Sequence, residues 1–165
     1  MADVDGISNF ELADLAKKHK VDLKLEHIIM ADQLQNIPLK RKINLIINLQ
    51  KSSQGGSHWV CLVIRGKNSF YCDSFAADPD VNIIQYCKKN KLHLAVNKYV
   101  IQDLKSVQCG LYCFGLIKYI DTEILPSQYP REFQNKLLEL SNNYVNLFVP
   151  SRKANDKIIY KYLGI

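Results

Sequence analysis

The chain has 165 residues and a mass of 19.0 kDa, the length of one domain, and 47% of it is hydrophobic, which excludes disordered and low-complexity classes. Its longest apolar runs, residues 45–49 and 60–64, are too short to cross a bilayer, and the acidic start MADVDGISNFELADL lacks the basic-then-apolar order of a secretory leader. The net charge of +6 admits a polyanion-binding surface. The lysines that carry it (Lys17, Lys18, Lys20, Lys24; Lys88, Lys89, Lys91; Lys153, Lys157, Lys161) come without an arginine-rich or aromatic stripe and read first as solvated helix faces.

Ser8 with Glu11 three residues on has capping-box spacing and opens a short amphipathic helix through Phe10, Leu12 and Leu15. A polar, loop-like stretch containing Pro38 follows. Residues 43–49 then read as a buried strand, broken by the turn signal Gln54-Gly55-Gly56-Ser57. The next two β-rich runs, 58–64 and 69–75, flank Arg65-Gly66-Lys67-Asn68 and predict an antiparallel hairpin. With Gly66 and Lys67 at the tip, Arg65 pairs with Asn68. His58 then falls opposite Phe75, with Asp73 one diagonal step away on the same face. A slip of one residue would put the two on opposite faces.

Beyond the hairpin, Asp78-Pro79 introduces a helix over 80–89, residues 92–101 alternate as a strand, and 103–108 form a polar loop. Residues 109–120 are strongly apolar and predict a central buried helix that begins at Cys109. Pro126 and Pro130 bound a stretch leading to a helix over 131–141. Residues 144–149 read as a last strand and 156–163 as a C-terminal helix. Helices and antiparallel strands in separate blocks predict an α+β fold, a single domain over 1–165.

The five cysteines are Cys61, Cys72, Cys87, Cys109 and Cys113. An odd number at irregular spacing, without an export signal, predicts free thiols in a reducing compartment. Cys109 and Cys113 stand one helical turn apart, but no second Cys/His pair has zinc-like spacing, so no metal site is expected. Cys109 is distinct from the rest because it opens a helix, where unpaired N–H groups and the dipole favour a thiolate. Gly110 beside it leaves room for a substrate backbone to approach the sulfur. A thiol nucleophile needs a base, and the base needs an acceptor on its other nitrogen. His58 with Asp73 supplies both; His93 is the competing base, while His19 and His27 have no such partner. A side-chain amide would complete the oxyanion site with the Cys109 N–H. Gln102, Gln108 and Gln54 all qualify on chemistry alone.

Four pieces therefore stand in order: Gly55-Gly56-Ser57-His58-Trp59, Tyr71-Cys72-Asp73-Ser74-Phe75-Ala76, Gln102 with six residues between it and the cysteine, and Cys109-Gly110-Leu111-Tyr112-Cys113. This order and spacing resemble the adenovirus-type maturation proteases (adenain), whose clan includes the SUMO-deconjugating proteases and which have versions in virophages and Polinton/Maverick elements. The resemblance runs from Asn44 to Ile120, nearly half the chain. It implies a papain-like fold in permuted order, with a central, mostly antiparallel sheet packed against helices. It makes His58 the general base, Asp73 its orienting acid, Gln102 the oxyanion donor and Cys109 the nucleophile. Trp59 and Gly110 are the expected substrate-binding positions, Trp59 walling a narrow cleft suited to glycine near the scissile bond.

The resemblance further implies a viral cysteine endopeptidase that cleaves precursor capsid and core proteins during virion maturation. It would act as a monomer in the virion and host cell, with no membrane and no required cofactor, and with DNA as an activator. Two positions depart from the adenoviral pattern. Lys91 stands where a peptide-linking cysteine is expected, so activation through a peptide disulfide is not expected. Asp73 replaces a glutamate, which keeps the role and shortens the reach. Two alternatives use the same sequence: an isopeptidase acting on ubiquitin-like tails, and a non-catalytic basic module binding nucleic acid through its lysines.

Overall fold

The computed structural model describes residues 6–49, 58–123 and 133–165. The predicted turn at 54–57, Pro126, Pro130 and the predicted helix start at 131 lie outside them. Five strands form one sheet in sequential order: β1 (Ile28–Met30), β2 (Lys42–Asn48), β3 (Trp59–Arg65), β4 (Asn68–Cys72) and β5 (His93–Val96). The long central pairings β2/β3 and β3/β4 are antiparallel, and the short edge strands β1 and β5 join in parallel. The hairpin register is the one the Gly66 tip predicts, with Arg65 opposite Asn68 and Cys61 opposite Cys72. Gly66 sits at φ +61, the left-handed conformation such a tip requires.

Helices cover both faces, which is why β2 and β3 read as almost unbroken apolar runs rather than alternating ones. On one face Leu45, Ile47, Leu62, Ile64 and Tyr71 pack with Leu34 and with Ile83 and Tyr86 of α2 (Val81–Lys89). On the other, Ile46, Val63 and Phe70 meet α1 (Asn9–His19), α3 (Cys109–Glu123), α4 (Phe133–Val145) and α5 (Asn155–Leu163). Each such buried aliphatic side chain contributes about 1.5–3 kcal/mol. The predicted capping box of α1 is present, Ser8 Oγ accepting from the Glu11 N–H at 3.2 Å and Glu11 Oε1 from the Ser8 N–H at 3.1 Å.

Helix α3 is apolar around most of its circumference because it is enclosed: Leu111, Phe114, Leu116, Ile117 and Ile120 are all buried. Its far end is tied to the sheet by a buried ion pair, Arg65 Nη2 to Asp121 Oδ1 at 2.9 Å, while Arg65 Nη1 donates to Asn44 Oδ1 at 2.8 Å. This clamp fastens the C-terminal end of the helix across β2 and β3.

Three elements differ from the sequence reading. The strand expected over 92–101 ends at Val96, because Asn97 turns inward: its Oδ1 accepts from the Asp73 N–H at 3.0 Å and its Nδ2 donates to Asp73 O at 2.7 Å. No strand forms at 144–149. Tyr144 instead closes α4, donates to Tyr112 O at 2.6 Å and stacks edge-on with Phe148 at 5.2 Å, so tertiary contacts override β propensity. Strand β1 lies in the stretch read as loop; three residues carry no readable alternation.

Candidate active site

His58 stands just before β3 and Asp73 just after β4, at the open end of the hairpin, so the register alone delivers them to each other. His58 Nε2 donates to Asp73 Oδ1 at 2.9 Å. Asp73 is held in turn: Oδ1 also accepts from the Phe75 N–H at 2.8 Å, and Asn97 grips its backbone on both sides. Phe75 lies against the imidazole with ring centroids 5.3 Å apart. With Nε2 committed to the carboxylate, Nδ1 is the ring nitrogen left to serve Cys109, whose side chain lines the same cavity.

Cys109 is the first residue of α3, and Gln108 O accepts from the Leu111 and Tyr112 N–H groups. The Cys109 N–H, at the start of the helix, has no intrahelical acceptor. Cys109 Sγ accepts from the Trp59 N–H at 3.3 Å, a donor that sequence reasoning missed because it belongs to the backbone. Burial lowers the His58 pKa, but its hydrogen bond to Asp73 and the nearby Cys109 outweigh that and raise it to about 9. At neutral pH this favours the imidazolium form of His58.

The other cysteines are different. Burial pushes the thiols of Cys61, Cys87 and Cys113 up, the last to about 11. Cys72 is raised by its contact with Cys61 and then by burial. None of these four lines the cavity onto which His58 opens.

Cys109 and His58 open onto a cavity of about 690 Å³, lined also by Trp59, Phe75, Gln102 and Met30. Gln102 is 1% exposed. Its Oε1 accepts from Ser74 Oγ, which fixes the amide with its NH₂ end turned away from Ser74. Of the competing residues, Gln108 is buried and does not line the cavity, and Gln54 lies outside the described residues. His93 is exposed and pairs with Asn68 at the opposite end of the hairpin, far along the sheet from the sulfur.

Trp59 serves cavity and core together: it lines the cleft, packs on the core, and donates from Nε1 to Ile7 O at 3.1 Å. Gly110 has a different reason for being glycine than substrate approach. A Cβ there would stand 2.4 Å from Ile7 Cγ2 and 3.1 Å from Trp59 Cδ1, so the space is taken by the N-terminal segment rather than left for a substrate. Among the described residues no group of three or more His, Cys, Asp or Glu side chains is placed to hold a metal ion.

No family model matches the chain, and neither does any curated protein. Among solved structures it is similar to the ASFV pS273R protease. One structure of that protein superposes with a TM-score of 0.62 at 11% identity, covering 98% of this chain and 67% of that one. The two share a fold. A second structure of the same protease gives a TM-score of 0.52 at 13% identity over 89% of this chain and 68% of that one. The SUMO protease Ulp1 lies further off, at a TM-score of 0.38 and 16% identity over 86% of this chain and 66% of that one.

Proposed function

We propose that this chain is a cysteine endopeptidase whose nucleophile is Cys109. The observation that carries the reading is the imidazole of His58, joined to a carboxylate on one nitrogen and sharing a large cleft with a helix-mouth thiol. In the reaction, the Cys109 thiolate attacks the peptide carbonyl carbon, and the carbonyl electron pair moves onto oxygen. The Cys109 N–H and Gln102 Nε2 donate to that oxyanion. The His58 imidazolium gives its proton to the departing amine as the C–N bond breaks, leaving a thioester. His58, now neutral, takes a proton from water, whose oxygen attacks the thioester and expels the thiolate. Asp73 keeps the ring oriented and steadies its charge throughout.

The likeness of the fold to a viral protease and the ordered His58–Asp73–Gln102–Cys109 pattern support viral precursor proteins as substrates, of the kind the adenovirus-type and virophage enzymes process. Glycine near the scissile bond suits a cleft whose wall is Trp59. DNA as an activator rests on the net charge of +6. The test is competitive alkylation with iodoacetamide at neutral pH, read cysteine by cysteine by mass spectrometry. Cys109 labels fastest, and loses that advantage in His58→Ala. Equal, slow labelling of all five thiols would end the enzymatic reading and favour the basic binding module. Cleavage of precursor peptides against cleavage of ubiquitin-like fusions separates the endopeptidase from an isopeptidase.

A further inference from the structure

The loop between Gln102 and Cys109 is fastened from behind by the start of the C-terminal helix. Gln102 Nε2 donates to Ser106 O at 2.9 Å and to Ser106 Oγ at 3.2 Å. Both acceptors belong to one residue, so a single N–H can serve them as a three-centre bond, leaving the second N–H for the oxyanion. Ser106 Oγ uses all its capacity: it donates to Asp156 Oδ1 at 2.8 Å and accepts from the Gln108 N–H at 3.1 Å as well as from Gln102. Asp156 Oδ1 also accepts from Tyr112 OH at 2.7 Å, which joins the network to the helix that carries the nucleophile. Next to it Asn155, fully buried, donates from Nδ2 to Ile101 O at 2.7 Å.

We propose that Ser106 and Asp156 are positioning residues for the oxyanion site, holding the amide of Gln102 and the N-terminus of α3 in one geometry. The inference rests on the protease reading above, in which Gln102 is the oxyanion donor. Its physical content is that Ser106 fixes the amide by accepting from it. The Ser106 hydroxyl has its own proton directed away from Gln102 only because Asp156 accepts it. Without Asp156 the hydroxyl is free to rotate and the Gln102 amide loses a fixed acceptor. Neither residue touches substrate or sulfur; they act through Gln102 and the loop.

The experiment uses the full chain with Ser106→Ala, Asp156→Ala and Asp156→Asn, the last retaining an acceptor oxygen. A peptide aldehyde forms a hemithioacetal with Cys109 and reports the oxyanion site, whereas iodoacetamide alkylation reports only the thiolate. Ser106→Ala and Asp156→Ala are expected to lower kcat and aldehyde affinity about 10- to 100-fold, with KM and the alkylation rate held within about twofold, and Asp156→Asn to recover most of the loss. Ser106→Ala, which removes one oxygen from a partly exposed loop, reads the effect even where Asp156→Ala fails to fold. Unchanged aldehyde affinity in Ser106→Ala, or equal losses in aldehyde affinity and alkylation, would overturn the proposal. A wild-type chain whose Cys109 shows no selective alkylation overturns the protease reading itself, and this proposal with it.

Discussion

Helix α3 has a carboxylate–cation pair at each end, and the two are built to opposite purposes. At the N-terminal end His58 meets Asp73 at 2.9 Å; at the C-terminal end Arg65 meets Asp121 at the same distance. Arg65 is 1% exposed and cannot lose its proton at any ordinary pH, so that pair can only hold. His58 is 22% exposed, faces a cleft, and titrates, so the cation of this pair can give up and regain a proton on its cleft side. The difference lies in the cation and in what it faces, since both carboxylates are largely buried.

The largest effect expected is His58→Ala. It should lower peptide cleavage by about a million-fold, since base and nucleophile act as a unit, while above about pH 9, where the folded imidazole has lost its stabilising proton, the urea midpoint should be nearly unchanged. A fall in stability to match would make His58 structural, and would erase the contrast with Arg65.

Next comes Asp73→Ala, expected to cost on the order of 10⁴-fold in kcat and to move the pH profile. The fold raises the His58 pKa from 6.5 to about 9. Its protonated form therefore stabilises the fold fully below pH 6.5, and that contribution fades as pH rises through about 9. The alkaline limb of Cys109 alkylation should sit near the same upper value. Removing Asp73 removes the largest cause that raises the pKa, so the limb should move toward acid. A limb unmoved in the variant would show that Asp73 does not act through the ring.

Asp121→Ala probes the other end. Breaking a buried pair by removing one partner typically costs about 3–5 kcal/mol, because Arg65 and Asn44 lose the acceptor they share. Chemical denaturation should record that loss, and the folded fraction should still alkylate at Cys109 at close to the wild-type rate. Loss of alkylation without loss of stability would instead mean that the clamp tunes the site.

The sequence disclosed these two ends unequally. The cleft end is legible because its geometry is local: a glycine-tipped hairpin sets the register of His58 and Asp73, and the change from polar loop to apolar helix marks Cys109. The clamp is not legible, because Arg65 looks like a turn residue beside Gly66 and its partner Asp121 comes from a helix formed much later in the chain. The same distance hides Asp156 behind Ser106. Gln102 lay between the extremes: chemistry alone left it level with Gln108 and Gln54, and only the family resemblance singled it out. Edge strand β1 and the end of α4 were lost for another reason, since in both the packing decides and the local pattern does not.

The smallest effect expected is at Gly110, where the two ends are compared through packing rather than charge. An added methyl must displace Ile7 Cγ2, 2.4 Å from the ideal Cβ, and press on Trp59. Overpacking of this kind costs about 1–3 kcal/mol. The displaced segment also holds the Trp59 indole through Ile7 O, so KM should rise more than kcat falls. Ile7→Ala relieves the clash by removing the atom in conflict. Gly110→Ala and Ile7→Ala should each destabilise the fold, and the double variant should lose less than the two together, by about 0.5–3 kcal/mol of coupling. Strictly additive losses would mean that Gly110 is glycine for another cause, and the first explanation, room for a substrate backbone at the sulfur, would return.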